Sequence, residues 1–170
     1  MNGPSQKINY KKTVPEILID LFKVNLSKGT FRTFREGDPL IFPASMLPAL
    51  FISEPKTSYA QGPTGYDEIT HNILIQVVFD KKTEFGAPAG VATLAQTIEL
   101  TMQGRHPTTG VLMLSTVMGI LRTNLSIGDL MIEQIGDVEK GYIPRSEELE
   151  TEEAHVRLTL SELQSVPNRS

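Results

Sequence analysis

The sequence predicts an α+β domain: a mainly antiparallel β-sheet of about five strands, with an N-terminal helix and one or two central helices packed on one face. Three observations predict it. Residues 67–82 (DEITHNILIQVVFDKK) place His71, Ile73, Ile75, Val77 and Phe79 on one strand face, and Thr70, Asn72, Leu74, Gln76, Val78 and Asp80 on the other. Strand patterns come in blocks instead of alternating with helices, which favours antiparallel pairing. A chain of 170 residues without an internal repeat is long enough for one real core. The domain is expected to span residues 13–166, between a basic arm (1–12) and a short tail (167–170).

The arm carries Lys7, Lys11 and Lys12 and reads as flexible. Thr13 opens a helix, because Thr13 and Glu16 have capping-box spacing and Pro15 sits in the first turn. Ile17, Leu18 and Leu21 line its apolar face, with Val14 and Val24 at the edges, and Ser27, Lys28 and Gly29 stop it. Residues 30–36 alternate as a strand cut by Gly37, Asp38 and Pro39. Residues 47–53 form a second strand with Pro48 at its start, where a strand tolerates proline. Residues 55–65 (PKTSYAQGPTG) read as a long connection holding Tyr59 and Gln61, with Tyr66 just beyond.

After the long strand come Lys81, Lys82 and a Gly/Pro-rich loop over 82–90 that contains Phe85. Residues 91–103 predict an amphipathic helix with Val91, Leu94, Ala95, Ile98 and Met102 on one face and Gly104 closing it. Thr108 or Thr109 caps a further apolar segment to about Leu121, whose pattern fits helix or strand. Residues 130–138 read as a strand, 139–153 as an acidic loop insert, and 153–163 as a last strand. In that strand Ala154, Val156, Leu158 and Leu160 face inward, while His155, Arg157 and Thr159 face outward.

Composition narrows the function classes. With no cysteine, disulfides, thiolate catalysis and cysteine-based metal sites are excluded. Residues 1–12 are too polar for a signal peptide. The most apolar run, residues 111–121, is far short of the roughly 20 residues a membrane span needs, so a soluble protein is expected. The net charge of −4 argues against nucleic-acid binding as the main task. Its distribution is uneven: residues 1–35 hold seven Lys or Arg against two acids, and residues 129–162 hold ten acids against three bases. Chance clustering explains such a split as readily as a two-faced object that stacks or rings head to tail.

No catalytic constellation accompanies this layout. His71 lies on the apolar strand face, where the commoner reading is a satisfied, half-buried histidine. His106 falls at a helix end, where a cation complements the dipole. His155 faces outward, and none of the three sits in a metal-binding spacing. The serines lack a GxSxG context, and no phosphate-binding loop is present. The run containing Glu147, Glu148, Glu150, Glu152 and Glu153 is more often a solvated loop than a cation site. Neither an enzyme nor a cofactor or metal is therefore expected. The arm, the 55–66 and 82–90 loops and the acidic insert are costly to order unless contacts bury them, which makes an interaction protein the expected class.

The element order resembles that of the tail-terminator (tail-completion, minor tail or neck) proteins of tailed bacteriophages. A basic N-terminal helix, three strands ending in ITHNILIQVVFDKK, a central amphipathic helix and a last hairpin carry the resemblance. It implies a non-enzymatic virion protein, assembled in the host cytoplasm and located in the tail or neck. Such a protein forms a ring, typically a hexamer, that ends tube polymerisation and joins the tail to head-completion proteins. The implied partners are other copies of the chain, the tail tube protein, a head-completion or stopper protein and, in some tails, a sheath protein. DNA passes through the lumen without specific binding, and no membrane is involved. On this reading Lys7, Lys11, Lys12, Tyr59, Gln61, Tyr66, Lys81, Lys82, Phe85, Glu147, Glu148, Glu150, Glu152 and Glu153 are candidate subunit or partner contacts. The alternatives are a head-closure or adaptor protein of the same connector, and a small-molecule-binding or enzymatic domain with a pocket bounded by Tyr59, Tyr66, His71 and Arg105.

Overall fold

The computed structural model describes residues 11–82 and 93–166. The described elements are α1 (Val14–Asn25), β1 (Thr33–Glu36), β2 (Ala49–Gln61), β3 (Tyr66–Asp80), α2 (Leu94–Met102), α3 (Val117–Thr123), β4 (Ser126–Ile127), β5 (Leu130–Ile135), β6 (Glu139–Pro144) and β7 (Glu150–Ser165). The architecture is α+β, but the sheet is larger than predicted and mixed. Its order is β1-β2-β3-β7-β5-β4, with β6 also on β7, and β1 runs parallel to β2. Lys7 and the rest of residues 1–10, Phe85 with residues 83–92, and the 167–170 tail lie outside the described residues.

The predicted cap of α1 is present: the Thr13 hydroxyl accepts from the Glu16 amide, and the Glu16 carboxylate accepts from the Thr13 amide. Its buried face is rotated from the expected one. Val14, Leu18, Ile19 and Phe22 are buried, Ile17 and Leu21 are half-buried, and Val24 is exposed. The sequence window gives the period, but only the docking angle on the sheet selects the face. In α2, capped by Thr93, Leu94, Ile98 and Met102 are buried and Ala95 is exposed. The ambiguous apolar segment resolves into α3, capped by Thr116 instead of Thr108 or Thr109.

β3 and β7 pair along their whole lengths and form the spine, from Tyr66 opposite Ser165 to Asp80 opposite Thr151. One face holds Leu50, Ile52, Ile73, Ile75, Val77, Val156 and Leu158 in a core with Leu18, Phe22, Ile98, Met102, Ile120 and Leu121 of the helices. The opposite face is only part-covered. There Val78 packs with Phe42, Leu47, Ala49, Phe51 and Leu149 in a second, smaller core.

Two predicted loops are strands. Residues 56–61 continue β2 and pair with β3 as far as Gln61 opposite Asp67, leaving a turn of 62–65 in which Gly65 has φ +85°. Pro55 falls where the ladder register shifts between Ser53 and Lys56, so its missing N–H breaks no regular pairing. Residues 139–144 are β6, paired with 150–155 of β7. Most of β6 is exposed, so its residues carry no alternation, and pairing with β7 alone makes it a strand. β5 leads into it through Gly136, whose amide donates to the Arg157 carbonyl at 2.8 Å. A β-carbon at Gly136 would lie 3.1 Å from that same oxygen.

Candidate functional site

At one end of the sheet, past the last residue of β7 that pairs with β5, residues 57–61 of β2, 66–70 of β3 and 162–165 of β7 continue as a three-stranded tongue. Its sides alternate in the usual way. Tyr59 lies opposite Ile69, and Tyr66 lies opposite Ser165, so the two tyrosines occupy opposite faces. Tyr59, Tyr66, Leu163 and Val166 are all exposed there, Tyr59 at 71%. Gln61 closes the β2 ladder at the tip and is exposed too. The predicted long connection is thus mostly paired strand carrying apolar side chains on both faces.

At the base of the tongue His71 is 7% exposed and sits between two carboxylates from different strands. Its Nδ1 contacts Glu54 Oε1, and its Nε2 lies 3.0 Å from Glu162 Oε1. Thr57 donates its hydroxyl to the same Glu54 oxygen at 2.8 Å, and Lys11 Nζ is 3.5 Å from Glu162 Oε2. These groups, with Lys12 and Asp129, line a cleft of about 380 Å³ between the start of α1 and the β4–β5 turn. The satisfied-histidine reading of His71 describes this arrangement, whereas neither Glu54 nor Glu162 stands out in the sequence. Their approach depends on strand register, and Glu54 lies at the shift in it.

The acidic segment is divided by burial. Glu147 and Glu148 are exposed on the β6–β7 turn, and Glu150 pairs with Lys81 Nζ at 3.1 Å. That ammonium also lies 4.4 Å from the Tyr142 ring centroid. Glu152 and Glu153 are buried in β7 and present no contact surface, which corrects their expected role. Glu153 accepts from Arg145 Nε at 2.9 Å and from Arg145 Nη2 at 2.5 Å, and it also meets Thr151 Oγ1 and His155 Nε2. Burial pushes the Glu153 carboxyl up, but hydrogen bonds from His155, Arg145 and Thr151 and the Arg145 charge outweigh it, holding the group at about 2. Arg145 in turn stacks over Phe42 and donates to the Pro39 carbonyl, which pins the segment covering the smaller core.

The remaining basic candidates are engaged locally. Lys12 donates to Asp20 at 2.6 Å, and this bond raises the lysine and lowers the aspartate from their ordinary values. The Lys82 amide donates to Asp80 while its side chain is exposed. Because Lys11 meets Glu162, basic and acidic ends of the sequence touch within one chain, and the linear charge split overstates any division of the surface.

The suggested pocket does not assemble. His71 lines the cleft beside α1, whereas Arg105 lines separate clefts with Gln103 and neither tyrosine. His106 follows the end of α2, and the Thr108 and Thr109 amides point to its Nδ1 at 3.2 and 3.3 Å. Among the described residues no group of three or more His, Asp or Glu is placed to hold a metal ion, and no helix is long and apolar enough to cross a membrane. No protein-family model and no curated protein matches the chain.

Proposed function

We propose that this chain is a structural assembly subunit, a tail terminator that forms a ring at the head-proximal end of a phage tail tube. In that role it ends tube polymerisation and offers its other side to the head-completion proteins. The observation that carries the reading is the tongue. A three-stranded end of the sheet that exposes Tyr59, Tyr66, Leu163 and Val166 gains little for a lone domain. Seated against another subunit it brings rigid aromatic and aliphatic area at small entropic cost. The charge split, by contrast, contributes less than the sequence suggests, because Lys11 and Glu162 meet inside the chain.

In this model the tongue meets a neighbouring copy, the tube or the head-completion partner. The exposed Glu147 and Glu148 on the β6–β7 turn would face the lumen, where negative charge would repel DNA phosphates. The testing measurement is the mass of the purified protein in solution, alone and with tail tubes, followed by negative-stain imaging. Rings, or caps at one end of the tubes, are the expected result. A stable monomer that ignores tubes would overturn the reading.

A further inference from the structure

We propose that His71 is a proton-operated latch that fixes the tongue to the body of the domain. Both ring nitrogens face carboxylate oxygens, Glu54 from β2 on one side and Glu162 from β7 on the other. A carboxylate only accepts, so both hydrogen bonds exist together only when both nitrogens carry a proton. The imidazolium then ties β2 and β7 through β3, at the point where the tongue leaves the core. Removing one proton turns one of these contacts into a lone pair facing a carboxylate, beside a ring whose side chain is only 9% exposed.

The surrounding charges decide which side lets go. The groups facing the ring are Glu54 and Thr57 from β2, Glu162 from β7, Lys11 and Lys12 ahead of α1, and Asp129 from the β4–β5 turn. Lys12 is already held by Asp20. Among the described residues Glu54 has only the Thr57 hydroxyl beside the histidine, whereas Glu162 has the Lys11 ammonium at its other oxygen. The neutral ring therefore keeps its proton toward Glu54, and Glu162 turns to Lys11. β7 loosens from β3 over residues 162–165, and the tongue gains freedom. The latch is a property of the single chain and stands independently of any ring.

Backbone amide hydrogen exchange tests it, scanned from about pH 5 to about pH 9 to span the charge change of histidines in general. After correction for intrinsic exchange, amides of 162–165 and their β3 partners should open ~10- to 100-fold more readily at the alkaline end, the loss of one charged hydrogen bond. Core amides such as those of Ile75 and Val156 should not follow. Glu162→Gln keeps the fold and gives the neutral ring a group it can bond, so the pH step should vanish there, as it should in His71→Gln. Tongue protection that is flat with pH in the wild type, or an undiminished step in Glu162→Gln, would overturn the latch.

Discussion

Removing the carboxylate of Glu153 isolates a largely buried arginine, and the cost follows from the geometry. Arg145 and Glu153 have side-chain exposures of 8% and 1%, and the guanidinium meets both carboxylate oxygens. Breaking such a pair from one side costs about 3–5 kcal/mol, because the remaining charge stays desolvated and unpaired. Glu153→Gln should therefore lower the unfolding free energy by that amount and the midpoint temperature by roughly 10 °C for a chain of this size. The double variant Arg145→Met/Glu153→Leu should recover most of the loss, within about 1–2 kcal/mol of wild type. Its new side chains would lie beside Phe42 and Leu149, Thr151 keeps its bond to the Ile143 carbonyl, and the partly exposed His155 can turn to water. Acid separates the two proteins further. The folded carboxyl at about 2 lies below its ordinary 4.5, so its contribution is complete above pH 4.5 and fades as the pH falls toward 2. That contribution is about 3 kcal/mol, which the wild type loses on acidification and the double variant does not have to lose. Urea unfolding of the wild type, Glu153→Gln and the double variant, at neutral pH and near pH 3, measures both effects. A Glu153→Gln protein as stable as wild type, or a double variant with the full acid loss, would refute the reasoning.

Other consequences are simpler to check. Gly104→Ala should destabilise by about 3 kcal/mol in thermal unfolding, since alanine resists positive φ and overpacking adds to the cost. The residue has φ +62°, and a β-carbon there would sit 1.9 Å from the Thr116 hydroxyl oxygen that caps α3. Tyr59→Ser and Tyr66→Ser should each change monomer stability by less than about 1 kcal/mol and yet abolish ring or cap formation, read by light scattering and negative stain. Deleting residues 141–152 would remove most of β6 and Arg145, so unfolding by circular dichroism is expected instead of a trimmed surface. The acidic surface is addressed by Glu147→Gln/Glu148→Gln, which should leave folding intact and alter DNA passage or tail joining alone. Normal assembly and joining in that variant would remove the lumen role.

The sequence by itself determined what depends on neighbours a few residues away. The capping box of Thr13 and Glu16, the helical period of Leu94, Ile98 and Met102, and the alternation of residues 71–79 are local facts. Backbone hydrogen bonding and side-chain direction turn each directly into an element with a buried side. An α+β class with helices on one sheet face followed from their order. The tertiary structure decided everything that depends on which segments meet. Residues 56–61 and 139–144 look like loops because exposure erases their apolar alternation, and they become strands only when β3 and β7 satisfy their backbones. The same distance in sequence hid the His71 cluster, since Glu54 and Glu162 are 17 and 91 residues away and reach the ring only through strand register. It also reassigned the acidic run: pairing within the sheet and the approach of Arg145 bury Glu153 as a paired core charge, while Glu147 and Glu148 on the preceding turn stay exposed. Local pattern fixes where a side chain points along its own element, but burial and charge pairing are set by the surface it is pressed against, and that surface comes from remote chain.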